Sequence, residues 1–247
     1  MASTDNFKPV LIVVDVQFDF VRGSLAVPEA ENIIDGINSL LDSDLPFIKK
    51  IATKDYHPPD HISFATTHGK PLLSTTTIYP PGQEKDESKA LEQVLWPVHC
   101  VASSPGADFL EELHSGAFDA VVYKGTNREI ESYSAFQDPW KITTTELPQL
   151  LSANGVTDVF MCGLAGDYCV KCTALDAVDY GYKTWVIRDA VKSVSKSGEE
   201  WTEMEERGVK VTSIAEVTDM LRKRARGERK VDPSKRRLTS FVGGSVE

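Results

Sequence analysis

Along this chain, short unbroken apolar runs take turns with segments whose apolar residues recur every three to four positions. The first run, Val-Leu-Ile-Val-Val at 10–14, lies in a strand predicted over 8–16 and is what a strand buried on both faces requires. Pro28 then opens a helical pattern carried by Ile33, Ile34, Ile37, Leu40 and Leu41, and 47–52 predicts a second strand. From about 55 to 97 the periodicity is lost in a stretch rich in Pro, Thr, Ser and Gly. Connections usually run about 4–6 residues, so this length marks a functional excursion. Ser104-Pro105 predicts a helix start leading into Phe109, Leu110 and Leu113. Regular alternation follows: strand 119–123, helix 145–153, strand 157–162, helix 167–180, strand 183–188, helix 198–207 and strand 209–212. Ser213 caps a last helix built on Ile214, Val217 and Leu221. Six strands alternating with helices predict an α/β fold with a mostly parallel sheet covered by helices on both faces.

The length of 247 residues, with no internal repeat, predicts one domain over 1–221, carrying a long insertion at about 56–97. Residues 222–247, with nine basic and three acidic residues, are expected to form a basic, flexible tail. The formal net charge of −10 therefore leaves about −16 on the remainder. Nucleic-acid affinity rests on phosphate neutralisation, so so acidic a body argues against such a partner. A nuclear-localisation segment and a solvated terminus both fit the tail. No apolar run approaches the ~18 residues of a membrane span, and no secretory pattern opens the chain. Four cysteines in that setting are expected to be reduced thiols, which points to the cytoplasm, with the nucleus left open by the tail.

Ligands of open parallel sheets bind beyond the carboxyl ends of the strands. Those ends carry Asp15, Asp55 with His57 behind it, Lys124, and Cys162-Gly163 leading to Cys169 at the start of a helix. Asp15 follows five apolar residues, and burial makes a carboxyl a usable proton shuttle near neutral pH. A helix start favours the thiolate of Cys169, and a fixed lysine beside both would favour the charged form of each. Asp15 as a turn cap, Lys124 in solvent and Cys169 as a small buried hydrophobe are the plain alternatives. Cys169-Val-Lys-Cys172 also reads as a redox CxxC, although such a dithiol has no use for Asp15 or Lys124. The Asp55-Tyr56-His57 segment suits a metal ion, with His99 returning to the same rim and His61 and Ser63 close by in sequence. The four cysteines lack the paired short spacings of a structural zinc site.

With these residues in place the chain resembles the isochorismatase-like cysteine hydrolases, and within them the nicotinamidases. Leu11-Ile-Val-Val-Asp15-Val-Gln-Phe-Asp-Phe20 is similar to their opening strand. Asp55-Tyr-His57-Pro-Pro-Asp-His-Ile-Ser63-Phe is similar to the metal segment, and Trp96-Pro-Val-His99-Cys-Val to its distal ligand. Tyr123-Lys124-Gly-Thr with Ser132-Tyr-Ser-Ala-Phe136 resembles the lysine segment, and Gly163-Leu-Ala-Gly-Asp167-Tyr-Cys169-Val-Lys the nucleophile loop. Gly166 stands where relatives often carry Thr and Tyr56 where many carry Trp, and Ser103-Ser104-Pro105-Gly106 also departs from the usual stretch. The resemblance implies a three-layer αβα fold with a six-stranded sheet. It implies hydrolysis of nicotinamide to nicotinate and ammonia through a thioester, in NAD salvage, by Asp15, Lys124 and Cys169. The backbone N–H groups of Ala165 and Cys169 would form the oxyanion hole, beside a cis peptide between 164 and 165. Asp55, His57 and His99 would hold one divalent metal, zinc ahead of iron and manganese, which the same ligand types also suit, while Phe20, Tyr56 and Leu164 would contact the ring. Another carboxamide or carbamoyl substrate stays open, as does homo-oligomerisation. No membrane partner is implied.

Overall fold

In chain order the strands are β1 (Pro9–Val14), β2 (Lys49–Asp55), β3 (Thr75–Ile78), β4 (Leu91–Val94), β5 (Ala120–Lys124), β6 (Asp158–Leu164), β7 (Lys183–Lys192) and β8 (Lys210–Thr212). The helices are α1 (Phe18–Val21), α2 (Ile34–Leu41), α3 (Ala65–His68), α4 (Leu147–Ala153), α5 (Lys171–Asp179), α6 (Glu199–Glu206) and α7 (Ile214–Ala225). This computed structural model describes residues 6–83 and 86–226. Six strands form one sheet in the order β5-β2-β1-β6-β7-β8. Every ladder in it is parallel, more uniformly than the expected mostly parallel arrangement.

Successive side chains of a strand point to opposite faces, and β1 shows how that builds three layers. Leu11 and Val13 join Phe160, Cys162, Trp185 and Ile187 in one apolar cluster, closed by Ile34, Ile37, Leu40 and Leu41 of α2 and by Val217 and Leu221 of α7. Val10, Ile12 and Val14 join Val159, Met161 and Val186 in the other, closed by Leu147 and Leu151 of α4, Ala174 and Ala177 of α5 and Met204 of α6. The helical periodicities of the sequence therefore face the sheet from both sides. Ser213 caps α7 as expected, accepting from the Glu216 N–H at 3.2 Å while the Glu216 carboxylate accepts from the Ser213 N–H at 2.9 Å.

The sheet order reverses direction between β1 and β6. From β1 the chain moves outward to β2 and β5, and from β6 it moves outward to β7 and β8. The crevice at such a switch point, at the carboxyl ends of the strands, lies between Asp15 and the loop that follows β6.

Several elements differ from expectation. The helix predicted after Ser104 is one 3₁₀ turn, Pro105–Ala107. Its neighbourhood spends its hydrogen bonds on the segment after β1 instead: Phe18 N–H donates to Asp108 C=O, Leu110 N–H to Val16 C=O, and Gln17 bridges to Phe109. The helix predicted over 167–180 begins as a wide π turn, Gly166–Val170, in which the Ala165 carbonyl accepts from both Tyr168 and Val170, and becomes α5 only at Lys171. The helix opened by Pro28 starts as a 3₁₀ turn, Ala30–Ile33. The excursion is not structureless, for it holds α3 and the antiparallel β3–β4 hairpin. Helix α7 continues through Ala225, past the boundary set at 221, while the tail from 227 onward lies outside the described residues.

Gly163 shows how tightly β1 and β6 meet. It pairs with Val14 at φ +117°, and a Cβ there would stand 2.1 Å from the Val14 carbonyl oxygen. Gly163→Ala must strain the backbone and push the two central strands apart at once. The expected loss of stability is at least about 3 kcal/mol, read from the shift of the urea unfolding midpoint.

Candidate active site

Asp15 leaves β1 in a left-handed conformation, φ +49°, and its N–H donates to the Thr53 carbonyl at 3.3 Å and to the Thr53 hydroxyl at 3.2 Å. The same hydroxyl donates to Asp15 Oδ1 at 2.6 Å. Asp15 Oδ2 lies 2.9 Å from Lys124 Nζ. Lys124 ends β5 and pairs across the ladder with Asp55, the last residue of β2. It is 1% exposed, and its ammonium also contacts Asp55 Oδ1, Cys169 Sγ at 3.2 Å and the Ser132 carbonyl at 3.5 Å. Asp15, Lys124 and Cys169 thus meet around one buried nitrogen, on three segments that the parallel sheet delivers to the same edge.

The electrostatics follow from burial. For Lys124, desolvation disfavours the charge, but the Asp15 and Asp55 carboxylates override it and raise the pKa well above the ordinary lysine value. Burial pushes Asp15 up, with Lys124 opposing only in part. Burial also lifts the Cys169 thiol well above its ordinary range, again partly opposed by Lys124. The resting state is therefore a protonated thiol beside a carboxyl of raised proton affinity. A proton passing from Cys169 to Asp15 leaves the net charge of the cluster unchanged, so no additional charge has to be buried.

Asp55, His57 and His99 bring ligand atoms within 4.8 Å of one another. His57 Nδ1 bonds to the Gly125 carbonyl and His99 Nδ1 to the Pro97 carbonyl, both at 2.8 Å. The Nε2 atoms are left facing Asp55 Oδ2, at 3.5 and 3.9 Å. His57 Nε2 is buried without a hydrogen-bond partner among the described residues. Ring nitrogens oriented by backbone carbonyls, with an orphaned nitrogen opposite a carboxylate, fit a divalent metal ion. Burial and the neighbouring His57 lower His99 to about 4, so its imidazole is neutral at pH 7. Burial would lower His57 as well, but Asp55 outweighs it and the pKa is raised. Both ring nitrogens of His61 are engaged, by Ser63 Oγ at 2.8 Å and the Ile130 carbonyl at 3.1 Å, and its ring stacks on His57 at 4.1 Å. His61 still forms a second group of ligand atoms with His57 and Glu131, a buried residue that sequence reasoning passed over.

Of the residues expected at the ring, Phe20 is buried 5.4 Å from the His99 ring, and Leu164 is buried in the same apolar cluster, with Tyr56 half-buried against it. The Leu164–Ala165 peptide is cis. Tyr56 donates to or accepts from Ser103 Oγ at 2.8 Å, so two of the departures from the family pattern touch each other. At the third, Gly166, a Cβ would stand 2.4 Å from Ser193 Oγ.

Several contributors were not anticipated. Trp96 meets Tyr168 edge-on at 5.0 Å, Tyr168 lies 5.3 Å from Tyr133, and the Trp96 indole N–H donates to the Tyr133 hydroxyl at 2.9 Å. Tyr168 precedes the nucleophile candidate directly, so this aromatic group stands beside Cys169. Buried Gln17 clamps Asp55 through its backbone, accepting from its N–H and donating to its carbonyl, each at 2.8 Å. Asp19 accepts from the Cys100 N–H at 2.7 Å and so holds the residue after His99. Gln17 and Asp19 stand in the quoted opening motif, which was the available signal. Burial pushes the thiol of Cys172, the second cysteine of the redox alternative, up to about 11.

Residues 9–216 match the isochorismatase domain family. The chain is 37% identical over 222 residues to the nicotinamidase of Schizosaccharomyces pombe, covering 87% of this chain and 97% of that one. Among solved structures it is similar to the yeast nicotinamidase bound to the inhibitor nicotinaldehyde. That likeness has a TM-score of 0.78 and 34% identity over 83% of this chain and 99% of the other. It is also similar to a Pyrococcus horikoshii pyrazinamidase in complex with zinc, with a TM-score of 0.64 and 34% identity over 83% and 99%.

Two substitutions probe this geometry separately. Lys124→Met leaves two buried carboxylates facing each other without their cation, and the expected destabilisation is about 3–5 kcal/mol in urea unfolding. At Gly125, φ +62°, a Cβ would stand 2.4 Å from the His57 ring. Gly125→Ala is expected to weaken divalent-metal affinity about 10- to 100-fold, read by competition with a chromophoric chelator.

Proposed function

The chain belongs to the isochorismatase family, and we propose that it is a nicotinamidase, hydrolysing nicotinamide to nicotinate and ammonia in NAD salvage. The observation that carries this reading is the single buried ammonium of Lys124 joining Asp15, Cys169 and the metal-ligand candidate Asp55. That arrangement supports covalent hydrolysis of a carboxamide next to a metal-anchored ring, and the similarity to nicotinamidases over most of the chain supports nicotinamide as the substrate.

Asp15 takes the proton of Cys169, and the thiolate attacks the carboxamide carbon. The oxyanion rests on the backbone N–H groups of Ala165, just before the wide turn after β6, and of Cys169, within it. Asp15 then protonates the amine as the C–N bond breaks, releasing ammonia and leaving a thioester on Cys169. Water, deprotonated by Asp15, attacks the thioester and regenerates the thiol with release of nicotinate. Lys124 holds both reacting groups and stays protonated throughout. Asp55, His57 and His99 would hold the metal, which supplies a Lewis-acidic anchor for the pyridine nitrogen. A two-nitrogen, one-oxygen donor set suits zinc, iron or manganese, and the zinc of the Pyrococcus pyrazinamidase supports zinc among them. Phe20, Tyr56 and Leu164 contribute walls for the ring, joined by Trp96 and Tyr168.

We read one hydrolase domain, supported by the family match over 9–216, and move its end from 221 to the close of α7 at Ala225. No helix among the described residues is long and apolar enough to cross a membrane. A nucleophile that must stay a free thiol favours a reducing compartment, which supports the cytoplasm. The nuclear alternative rests on tail residues outside those described.

Ammonia release from nicotinamide by the purified protein tests the proposal. Cys169→Ala is expected to lower the rate by at least about 10⁴-fold with the fold intact, whereas Cys172→Ser keeps it. A folded, metal-loaded wild type that releases no ammonia would overturn nicotinamide as the substrate.

A further inference from the structure

Thr53 lies in the middle of β2, fully buried, two residues before Asp55, and has no place in the chemistry described so far. Its hydroxyl oxygen accepts the backbone N–H of Asp15 at 3.2 Å and stands 2.6 Å from Asp15 Oδ1. The hydroxyl accepts that N–H through a lone pair, and because an ionised carboxylate can only accept, the single hydroxyl proton is donated to Oδ1. Accepting that proton makes Oδ1 the less basic of the two carboxylate oxygens, so a proton arriving at Asp15 favours Oδ2. Asp15 Oδ2 differs: it is completely buried and accepts no well-directed hydrogen bond among the described residues, with Lys124 Nζ as its charged neighbour at 2.9 Å. That same Nζ lies 3.2 Å from Cys169 Sγ.

We propose that Thr53 is a positioning residue for Asp15: by holding Oδ1 as an acceptor it confines the shuttled proton to Oδ2, the oxygen on the side of Lys124 and Cys169. The inference rests on the acid–base role given to Asp15 above. Its physical content is a choice between two oxygens that are chemically equal in free aspartate. A half-turn of the carboxylate would exchange them, and the Thr53 hydroxyl, tied at once to the backbone and the side chain of Asp15, opposes that turn. The backbone bonds also hold Asp15 in its left-handed conformation, so the carboxylate starts from a fixed point. Thr53 acts before any substrate arrives, because the proton transfer it governs lies between two groups of the protein.

That independence from substrate supplies the test. Thr53→Val keeps the shape of the side chain and removes the hydroxyl; Thr53→Ser keeps the hydroxyl and removes a methyl. Site-resolved alkylation of Cys169 by iodoacetamide, followed by peptide mass spectrometry in the metal-loaded enzyme, reads the ease of thiol deprotonation without nicotinamide. Thr53→Val is expected to slow Cys169 alkylation and to lower kcat for nicotinamide about 10- to 100-fold, with KM unchanged within about twofold. Thr53→Ser is expected to recover most of both. Unchanged alkylation in Thr53→Val would overturn the assignment, and so would equal losses in the Val and Ser variants, which would mark a packing role. A wild type whose Cys169 alkylates rapidly, with the Val and Ser variants separating as expected, but which leaves nicotinamide intact would overturn the substrate and uphold the Thr53 assignment.

Discussion

A lysine ammonium that is 1% exposed has given up nearly all of its water, and the structure around Lys124 exists to replace that water. Desolvating an ammonium costs several kcal/mol, and only opposite charge at contact distance with further polar partners offsets it. Two carboxylates and a carbonyl do so here, and each is delivered by a different segment: Asp15 after β1, Asp55 at the end of β2, and Ser132 in the loop after β5. Burial raises the pKa of the nearby Cys169 thiol, and the Lys124 cation opposes that only in part. The same arrangement makes proton exchange between that thiol and Asp15 neutral in total charge. The stability of this edge and the chemistry proposed for it thus draw on the same interaction.

Around this cluster the chain is held by groups that do no chemistry. Gln17 fixes the backbone of Asp55, Asp19 fixes the loop carrying His99, and the Gly125 carbonyl orients His57. The excursion after β2 belongs to the same bracing. Its return segment forms bridges at Phe64–Trp96 and His57–Val101, which bring His99 back beside Asp55 and set Trp96 against Tyr168. Close approach is part of the design as well: only a residue without Cβ fits at Gly163 against Val14 or at Gly125 against His57. The candidate metal ligands and the Cys169 thiol therefore sit together on one edge of the sheet.

Much of this was legible before folding. Strand and helix periods identify six strands and most of the covering helices, and a parallel sheet requires that strand ends share one edge. Asp15, Asp55, Lys124 and Cys169 could be grouped on that ground alone, because topology, not detailed packing, decides which strand ends are neighbours. The apolar alternation in β1 likewise dictates which residues face which layer of helices.

What the tertiary structure alone decided has a common physical origin in hydrogen bonds between segments far apart in sequence. Residues 105–113 carry the start signal of a helix, yet their backbone groups pair with residues 16–18 and stop after one turn. Thr53 reads as an ordinary strand residue until its hydroxyl is seen between the N–H and the carboxylate of a residue 38 positions earlier. Trp96, Tyr133 and Tyr168 sit in three separate motifs, and only packing turns them into one aromatic group beside the thiol. Local periodicity carries no information about such pairings, since a residue's own neighbours set its element while its distant partners set its task. The sequence by itself determined the layers and the edge where chemistry collects; the folded structure decided which oxygen, which ring and which loop meet there.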